Sequence, residues 1–305
     1  MRAAPAFGRE RAWARAYRLA QGSLVCMGRH TLTGAVCATG RQFEDWSADY
    51  RLFSKERFDL DGIFGTIRRD ILDMIDQDAP LVAAMDDTGL KKTGTKIPGV
   101  AYRRDPMSPP FRPNFIRAVR ALQISACVPM GEGASPAKTV PIDFINAPTP
   151  KKPRKPDEEK IREYNAAKKQ LNLSRQGFLR IAKLRESLDA DPKGKDRPLW
   201  ITADGSFTNG TVLKNLPERT TFIGRIRSDA KLFLPPPPHR SNKRGRKIWY
   251  GERALAPEQL QNDPSVPWER VKVFAAGKTH ETKIKTVGPL LWRKAGPNLP
   301  IRLIV

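Results

Sequence analysis

Two apolar runs in this chain end in carboxylates: LVAAMDDTG at 81–89 and LWITADGSF at 199–207. Each has the length of a buried strand, and each closes on turn-forming residues, Thr88-Gly89 and Gly205-Ser206. Asp86 and Asp204 are thereby expected at the C-terminal ends of core strands, where α/β sheets place their ligand sites. If the strands are neighbours, the two carboxylates converge although they lie 118 positions apart. Converging carboxylates repel unless a cation neutralises them, and oxygen ligands of this kind suit Mg²⁺ or Mn²⁺. Two such ions roughly 3.5–4 Å apart activate an attacking oxygen and stabilise a leaving one in phosphodiester chemistry. Taken singly, Asp-Thr-Gly and Asp-Gly also fit turns and caps. The pairing of two such strand ends is what points to a site. Asp87 is then a turn cap or a weaker ligand than Asp86, with the reverse arrangement open.

The composition favours a polyanionic partner. The 305 residues include 55 Lys+Arg against 32 Asp+Glu, a net charge of +23, which points to nucleic acid. The charge is uneven: residues 1–80 are nearly neutral at +1, and residues 81–305 carry +22. Three cysteines without a CxxC spacing and three scattered histidines argue against a disulfide framework and a zinc site. No apolar stretch approaches the roughly 20 residues that span a bilayer. The expectation is a cytoplasmic, nucleoid-associated protein without a membrane partner.

Residues 1–80 read as a helical region for DNA-end binding or assembly, with Leu60, Ile63, Phe64, Ile67, Ile71, Met74 and Ile75 at helical spacing. Ser and Thr are expected to cap helices near 28–34 and 45–54. Residues 81–233 read as an α/β core. Its strands are expected at 81–85, 120–130, 199–203 and 220–228, with one long helix over 157–189 and a short one near 209–216. The Pro-rich tract from 234 leads into short strands, an all-β insertion over 234–305.

Several cations have a plausible task. Lys91, Lys92, Lys96, Arg103 and Arg104 follow the first carboxylates and suit phosphate contact, or form a solvated loop. Arg225 and Arg227 alternate on an expected strand. Lys243, Arg244, Arg246 and Lys247 stand beside Trp249 and Tyr250, which could stack on bases or pack in the insertion.

The runs MDDTGLKKTGTKIPGVAYRRDPMSPPFRPNF and LWITADGSFTNGTVLKNLPERTTFIGRIRSDAKLF resemble the DDE-type transposases of bacterial insertion sequences. More narrowly, they resemble the group whose ribonuclease-H-like core is interrupted by a β-strand insertion. RHTLTGAVCATGRQFEDWSADYRLFS resembles that group's N-terminal helical region. The resemblance covers most of the chain. It implies a ribonuclease-H-like mixed-sheet core, Mg²⁺ or Mn²⁺, and double-stranded DNA (transposon ends and target) as partner. A homo-oligomer in the synaptic complex is also implied. It makes Asp86 the first catalytic carboxylate and Asp204 the second. The third, a Glu on a late helix, has no clear match. Glu218 comes too early, and Glu252, Glu258, Glu269 and Glu281 lie in strand-like or loop-like sequence. The expectation is a transposase truncated before that Glu, or else a DNA-binding, oligomerising remnant that inhibits the intact enzyme. A repair nuclease on the same fold is a further, less supported possibility.

Overall fold

The computed structural model describes residues 2–94, 96–154, 157–237 and 248–305. The cationic run Lys243, Arg244, Arg246 and Lys247 lies outside them. The chain divides into two compact units, Met1–Ile71 and Leu72–Val305.

The first unit is helical: α1 (Glu10–Val25), α2 (Leu32–Ala38), α3 (Ser47–Ser54) and most of α4 (Leu60–Met74). Thr31 caps α2, its side chain accepting from the Gly34 N–H at 3.0 Å. At α3 the acceptor is Asp45, which takes the Ser47 N–H at 2.9 Å, rather than a Ser or Thr hydroxyl. Phe7, Leu19, Val36 and Leu52 form the core, with Trp13, Trp46 and Phe58 packed against it. Within it Asp49 is fully buried, flanked by Arg15 at 3.5 Å and Arg41 at 3.4 Å. A buried carboxylate requires such partners.

The second unit opens with four strands: β1 (Leu81–Lys91), β2 (Ala101–Arg104), β3 (Phe115–Pro129) and β4 (Ala137–Asn146). Two helices, α5 (Glu158–Gln170) and α6 (Leu173–Asp189), cross to β5 (Leu199–Ala203). The turn helix α7 (Gly210–Leu213) then leads to β6 (Thr220–Gly224). β1 pairs antiparallel with β3 and parallel with β5, and β5 pairs parallel with β6. β3 is long enough to hold two partners on one edge, β2 along Phe115–Ala118 and β4 along Ala121–Pro129. The core order is therefore β4-β3-β1-β5-β6, with β2 added beside β4.

Three local expectations are corrected here. β2 and β4 are strands where the sequence shows a basic loop and no clear pattern. β4 carries Pro141, which removes a ladder donor, and the Pro faces a register shift between Ile124 and Ser125. The helix over 157–189 is two helices. Asn172 ends the first arrangement by capping α6, its side chain accepting from the Arg175 N–H at 3.1 Å. Asp157, Glu158 and Glu159 stand at the start of α5 and Lys168 and Lys169 at its end, so the dipole pattern belongs to α5 alone. Third, Arg225 and Arg227 follow β6 rather than lying on it, because the strand stops at Gly224.

α6 fixes the back of the sheet. Ile181, Leu184 and Leu188 are buried, and Arg180 makes a bidentate ion pair with buried Asp143 of β4. Gly177 lets the helix approach closely: a Cβ there would lie 2.9 Å from the Phe207 ring and 3.2 Å from Met85. Phe207 and Met85 are both buried and have nowhere to retreat. Gly177→Val is expected to cost about 1–3 kcal/mol by overpacking, read as a lower midpoint in urea unfolding.

The remaining elements form the insertion: β7 (Leu232–Phe233), α8 (Pro257–Asn262), β8 (Glu269–Ala275), β9 (Lys278–Ile284), β10 (Thr286–Trp292) and β11 (Gly296–Ile304). β10 lies between β11 and β7, and β8 and β9 form a separate hairpin. Leu232, Leu260, Leu290, Trp292 and Leu303 make its core, which includes Leu213 of α7. Beside β7, Arg253 makes a bridge with Phe233, and Gly251, Glu252 and Ala254 exchange backbone hydrogen bonds with Leu232 and Leu234, while the short helix α8 interrupts the all-β pattern.

Candidate active site

The register of the sheet brings the two carboxylate-bearing ends together. Met85 of β1 pairs with Ala203 of β5, so Asp86 and Asp204 stand at the same level where the two parallel strands part; β1 itself runs on along β3 through Thr88-Gly89 to Lys91, so the turn expected there is not formed and only Asp204 follows a strand end. Side chains alternate along β1, and the two Asp residues differ accordingly. Asp87 continues the face of Leu81, Ala83 and Met85, which are buried, and is itself half-buried. Asp86 is on the opposite face and exposed, and its Oδ1 accepts from the Asp87 N–H at 2.8 Å.

The electrostatics single out Asp87. Its carboxyl is held above the ordinary carboxylate range, first by burial. Asp86 and Asp204 push in the same direction, and Arg120 and Arg103 oppose them. Three carboxylates and two guanidiniums thus act at one end of the sheet. The sign of the linkage follows from the raised value. The native state binds the Asp87 proton more tightly than the unfolded chain does. The fold therefore loses stability as pH rises from the ordinary carboxylate value through that of Asp87. Asp87→Asn removes this loss. At neutral pH it is expected to raise Tm by about 2–4 °C, or about 1 kcal/mol, and to flatten the acid limb of a Tm-against-pH curve.

The loop after β5 is tightly specified. Asp204 Oδ1 accepts from Ser206, from the backbone N–H at 2.9 Å and the hydroxyl at 2.6 Å. Thr208 donates its hydroxyl to the Asp204 carbonyl at 2.9 Å. Asn209 caps α7 and donates to Ser174 of α6 and to the Ser206 carbonyl, each at 2.8 Å. Gly224 leaves room for Thr208, since a Cβ there would lie 2.3 Å from its hydroxyl. One Asp204 oxygen is thus engaged in the turn, and the carboxylate is fixed at the strand end.

The cations expected to meet phosphate are distributed differently. Lys91 is 3.5 Å from Asp105, while Lys92 and Lys96 are exposed in the loop that follows β1. Arg117 holds this loop by donating to the Thr93 and Gly94 carbonyls at 3.1 and 3.2 Å. Arg104 is exposed, whereas Arg103 is half-buried on the face of Asp87 and donates to Thr149 Oγ1 at 3.0 Å. Arg225 is exposed, and its carbonyl would be 3.5 Å from a Cβ at Gly205. Its backbone therefore borders the Asp204 turn. Arg227 is instead paired with Asp229 at 2.9 and 3.1 Å. Tyr250 packs against Phe233 and under Arg293, and Trp249 beside it is 43% exposed.

Arg120 and Thr149 also belong to this end of the sheet. Arg120 of β3 donates Nε to the Ala147 carbonyl at 3.2 Å and Nη2 to Thr149 Oγ1 at 3.3 Å. A signal was available. Arg120 shares strand parity with Ala118, Leu122 and Ile124, all buried, and a lone cation on a core face calls for a partner.

Of the glutamates considered for a third ligand, Glu218 precedes β6, Glu252 lies beside the Phe233–Arg253 bridge, Glu258 is in the first turn of α8, Glu269 begins β8 and Glu281 is on β9. Among the described residues no group of three His, Cys, Asp or Glu side chains is placed to hold a metal. The carboxylates at the sheet end nevertheless fit a hard divalent cation. They are oxygen donors, they repel one another, and Asp87 is partly desolvated.

A mixed sheet in the order β4-β3-β1-β5-β6, with carboxylates where its adjacent parallel strands β1 and β5 part, defines a ribonuclease-H-like core. Residues 3–295 match the DDE superfamily endonuclease family, and the chain belongs to that family. Its class is therefore that of the transposases and nucleases that act on DNA, and such nucleases generally use divalent metals. No curated protein matches the chain. Among the described residues no helix is long and apolar enough to cross a membrane.

Proposed function

We propose that this chain is an insertion-sequence transposase that acts on phosphodiesters at transposon ends, with Asp87 and Asp204 as the principal ligands of Mg²⁺ or Mn²⁺. The observation that carries the reading is the placement of Asp87: it continues the buried face of β1, is half-desolvated, and feels the charges of Asp86 and Asp204. Asp86, exposed and bonded to the neighbouring backbone, is assigned a supporting part in holding the strand end. When bound, the cation supplies charge neutralisation at the reacting phosphate.

The chemistry balances without further cofactors. In hydrolysis a water oxygen bonds to phosphorus in line, the P–O3′ bond breaks, and a 3′-hydroxyl is released. In strand transfer that hydroxyl attacks a target phosphodiester and a new 3′-hydroxyl leaves. The protein's part is to orient the phosphate and to exclude unproductive geometries. The +23 charge supports DNA as the bound polyanion. A homo-oligomer would bring two transposon ends together.

A second reading rests on the finding that, among the described residues, no group of three His, Cys, Asp or Glu side chains is placed to hold a metal. On that reading the chain binds transposon DNA and oligomerises but cleaves poorly, and so inhibits an intact enzyme. A nicking assay on terminal-repeat DNA with Mg²⁺ or Mn²⁺ separates the two. Cleavage that is lost in Asp204→Ala supports the transposase. Salt-dependent DNA binding without cleavage supports the binding form. Cleavage that survives Asp204→Ala overturns the site.

A further inference from the structure

Arg103 of β2 and Arg120 of β3 make an arrangement that the fold alone does not require. Both donate to a single neutral oxygen, Thr149 Oγ1, at 3.0 and 3.3 Å. Arg120 is further fixed through Ala147, whose carbonyl accepts from its Nε and whose N–H donates to its backbone carbonyl at 2.8 Å. Two permanent cations are thereby drawn to one hydroxyl. Among the described residues neither guanidinium is within ion-pair distance of a carboxylate. Arg103 also holds Nε and Nη2 away from solvent with no hydrogen-bond partner.

Each of these features is unfavourable in the free protein. Covered donors without acceptors forfeit their hydration, and adjacent guanidiniums repel. The pair acts on the Asp87 charge only from a distance, since no direct ion pair with it is formed. A phosphate resolves both deficits, because its oxygens accept from the planar forks of two arginines at once.

The position is equally specific. Asp87 pairs with Leu122 of β3, and Arg120 lies two residues earlier on the same face. Ile116, which pairs with Arg103, continues that face. Two strand residues span roughly 7 Å. Arg120 thus stands roughly 7 Å along the strand from the level of Asp87, close enough to meet a phosphate neighbouring one held there.

We propose that Arg103 and Arg120 form a seat for one DNA backbone phosphate flanking the phosphodiester held at Asp87 and Asp204. Thr149 is the resting partner of both guanidiniums, and Arg103 turns from its covered position toward the incoming phosphate. The proposal deepens the transposase reading and relies on it only for what lies at Asp87. Neither arginine is needed for the catalytic carboxylates to bind a cation.

The test is fluorescence anisotropy of a labelled DNA duplex carrying the terminal repeat, titrated with the full chain in EDTA over a range of NaCl concentrations. Arg103→Gln and Arg120→Gln are each expected to weaken binding about tenfold and to lower the slope of log K against log salt by about 1. Arg103→Lys keeps the charge and loses the fork; its slope is expected to match wild type, with affinity down about threefold. Binding is referred to the folded fraction from circular dichroism, so a variant that folds poorly is still read, and Arg103→Lys disturbs the fold least. Both Gln variants retaining wild-type slope and affinity would overturn the proposal. So would a slope change in Arg103→Lys as large as that in Arg103→Gln. Because EDTA removes divalent cations, these results stand apart from the cation reading, which fails separately if Asp87→Ala binds Mn²⁺ as wild type does.

Discussion

Asp87→Ala is expected to weaken Mn²⁺ binding at least tenfold, while Asp86→Ala changes it less than about threefold. The scale comes from metal sites in general, where loss of a group that merely orients a ligand costs 10–100-fold in affinity or activity. Loss of a donor atom should cost no less. The asymmetry comes from the strand. Asp87 shares the face of Met85, acts on Asp204 and is partly desolvated, so its oxygens attract a cation in an environment of reduced screening. Asp86 points to the exposed face and already spends an oxygen on the Asp87 N–H. Electron paramagnetic resonance of free Mn²⁺ during titration of each variant reads the difference. Affinity should also fall on acidification at a higher pH than for an ordinary aspartate site, since the raised Asp87 value means that its proton competes sooner. Equal losses in the two variants would return the ligand role to both residues.

Asp143→Ala is expected to destabilise the second unit by about 3–5 kcal/mol, the usual penalty for removing one partner of a buried ion pair. Asp143 is 4% exposed and its carboxylate is gripped at both oxygens by Arg180 of α6. Without it the guanidinium keeps its charge in a site with little water. The pair ties the edge strand β4 to the helix that also carries Gly177 and Ser174, and Ser174 accepts from Asn209 of the Asp204 loop. Loss of Asp143 should therefore disturb the Asp204 end as well as the edge. Urea unfolding reads the stability. The double variant Asp143→Leu/Arg180→Met, which removes both charges, should recover most of the loss, because two matched apolar side chains replace the pair at small cost. A double variant as unstable as the single would mean that the pair itself, and not the loss of the Asp143 counter-charge, holds the helix.

Much of the core could be read from residue order. LVAAM and LWITA are largely apolar because their strands are parallel neighbours in the middle of the sheet, although Trp200 is exposed, and that made both the strands and the carboxylates that follow these runs visible. The distinction between Asp86 and Asp87 was less accessible. It depends on which side of the strand α6 covers, and a period of two assigns faces only once a covering element is known. β4 was hidden by Pro141 and by Lys138 and Asp143, the last of which looks solvated in sequence and is buried because Arg180 reaches it from 37 positions away. The Arg103–Arg120 pair was illegible as a pair. One residue sits in what reads as a basic loop, the other in an apolar strand, and the register of β2 and β3 alone puts them on one face.

The parallel pairing of β1 with β5 also sets when the site can exist. Leu81 and its partner Leu199 are separated by 118 positions. The antiparallel β1–β3–β4 layer can form from nearby chain. On a ribosome adding about 5–20 residues per second, roughly 6–24 s pass between the emergence of β1 and that of β5. During that interval one edge of β1 has no partner and offers its ladder to any passing strand. The nascent chain therefore carries Asp86 and Asp87 without Asp204, and the carboxylates come together only once β5 has joined β1.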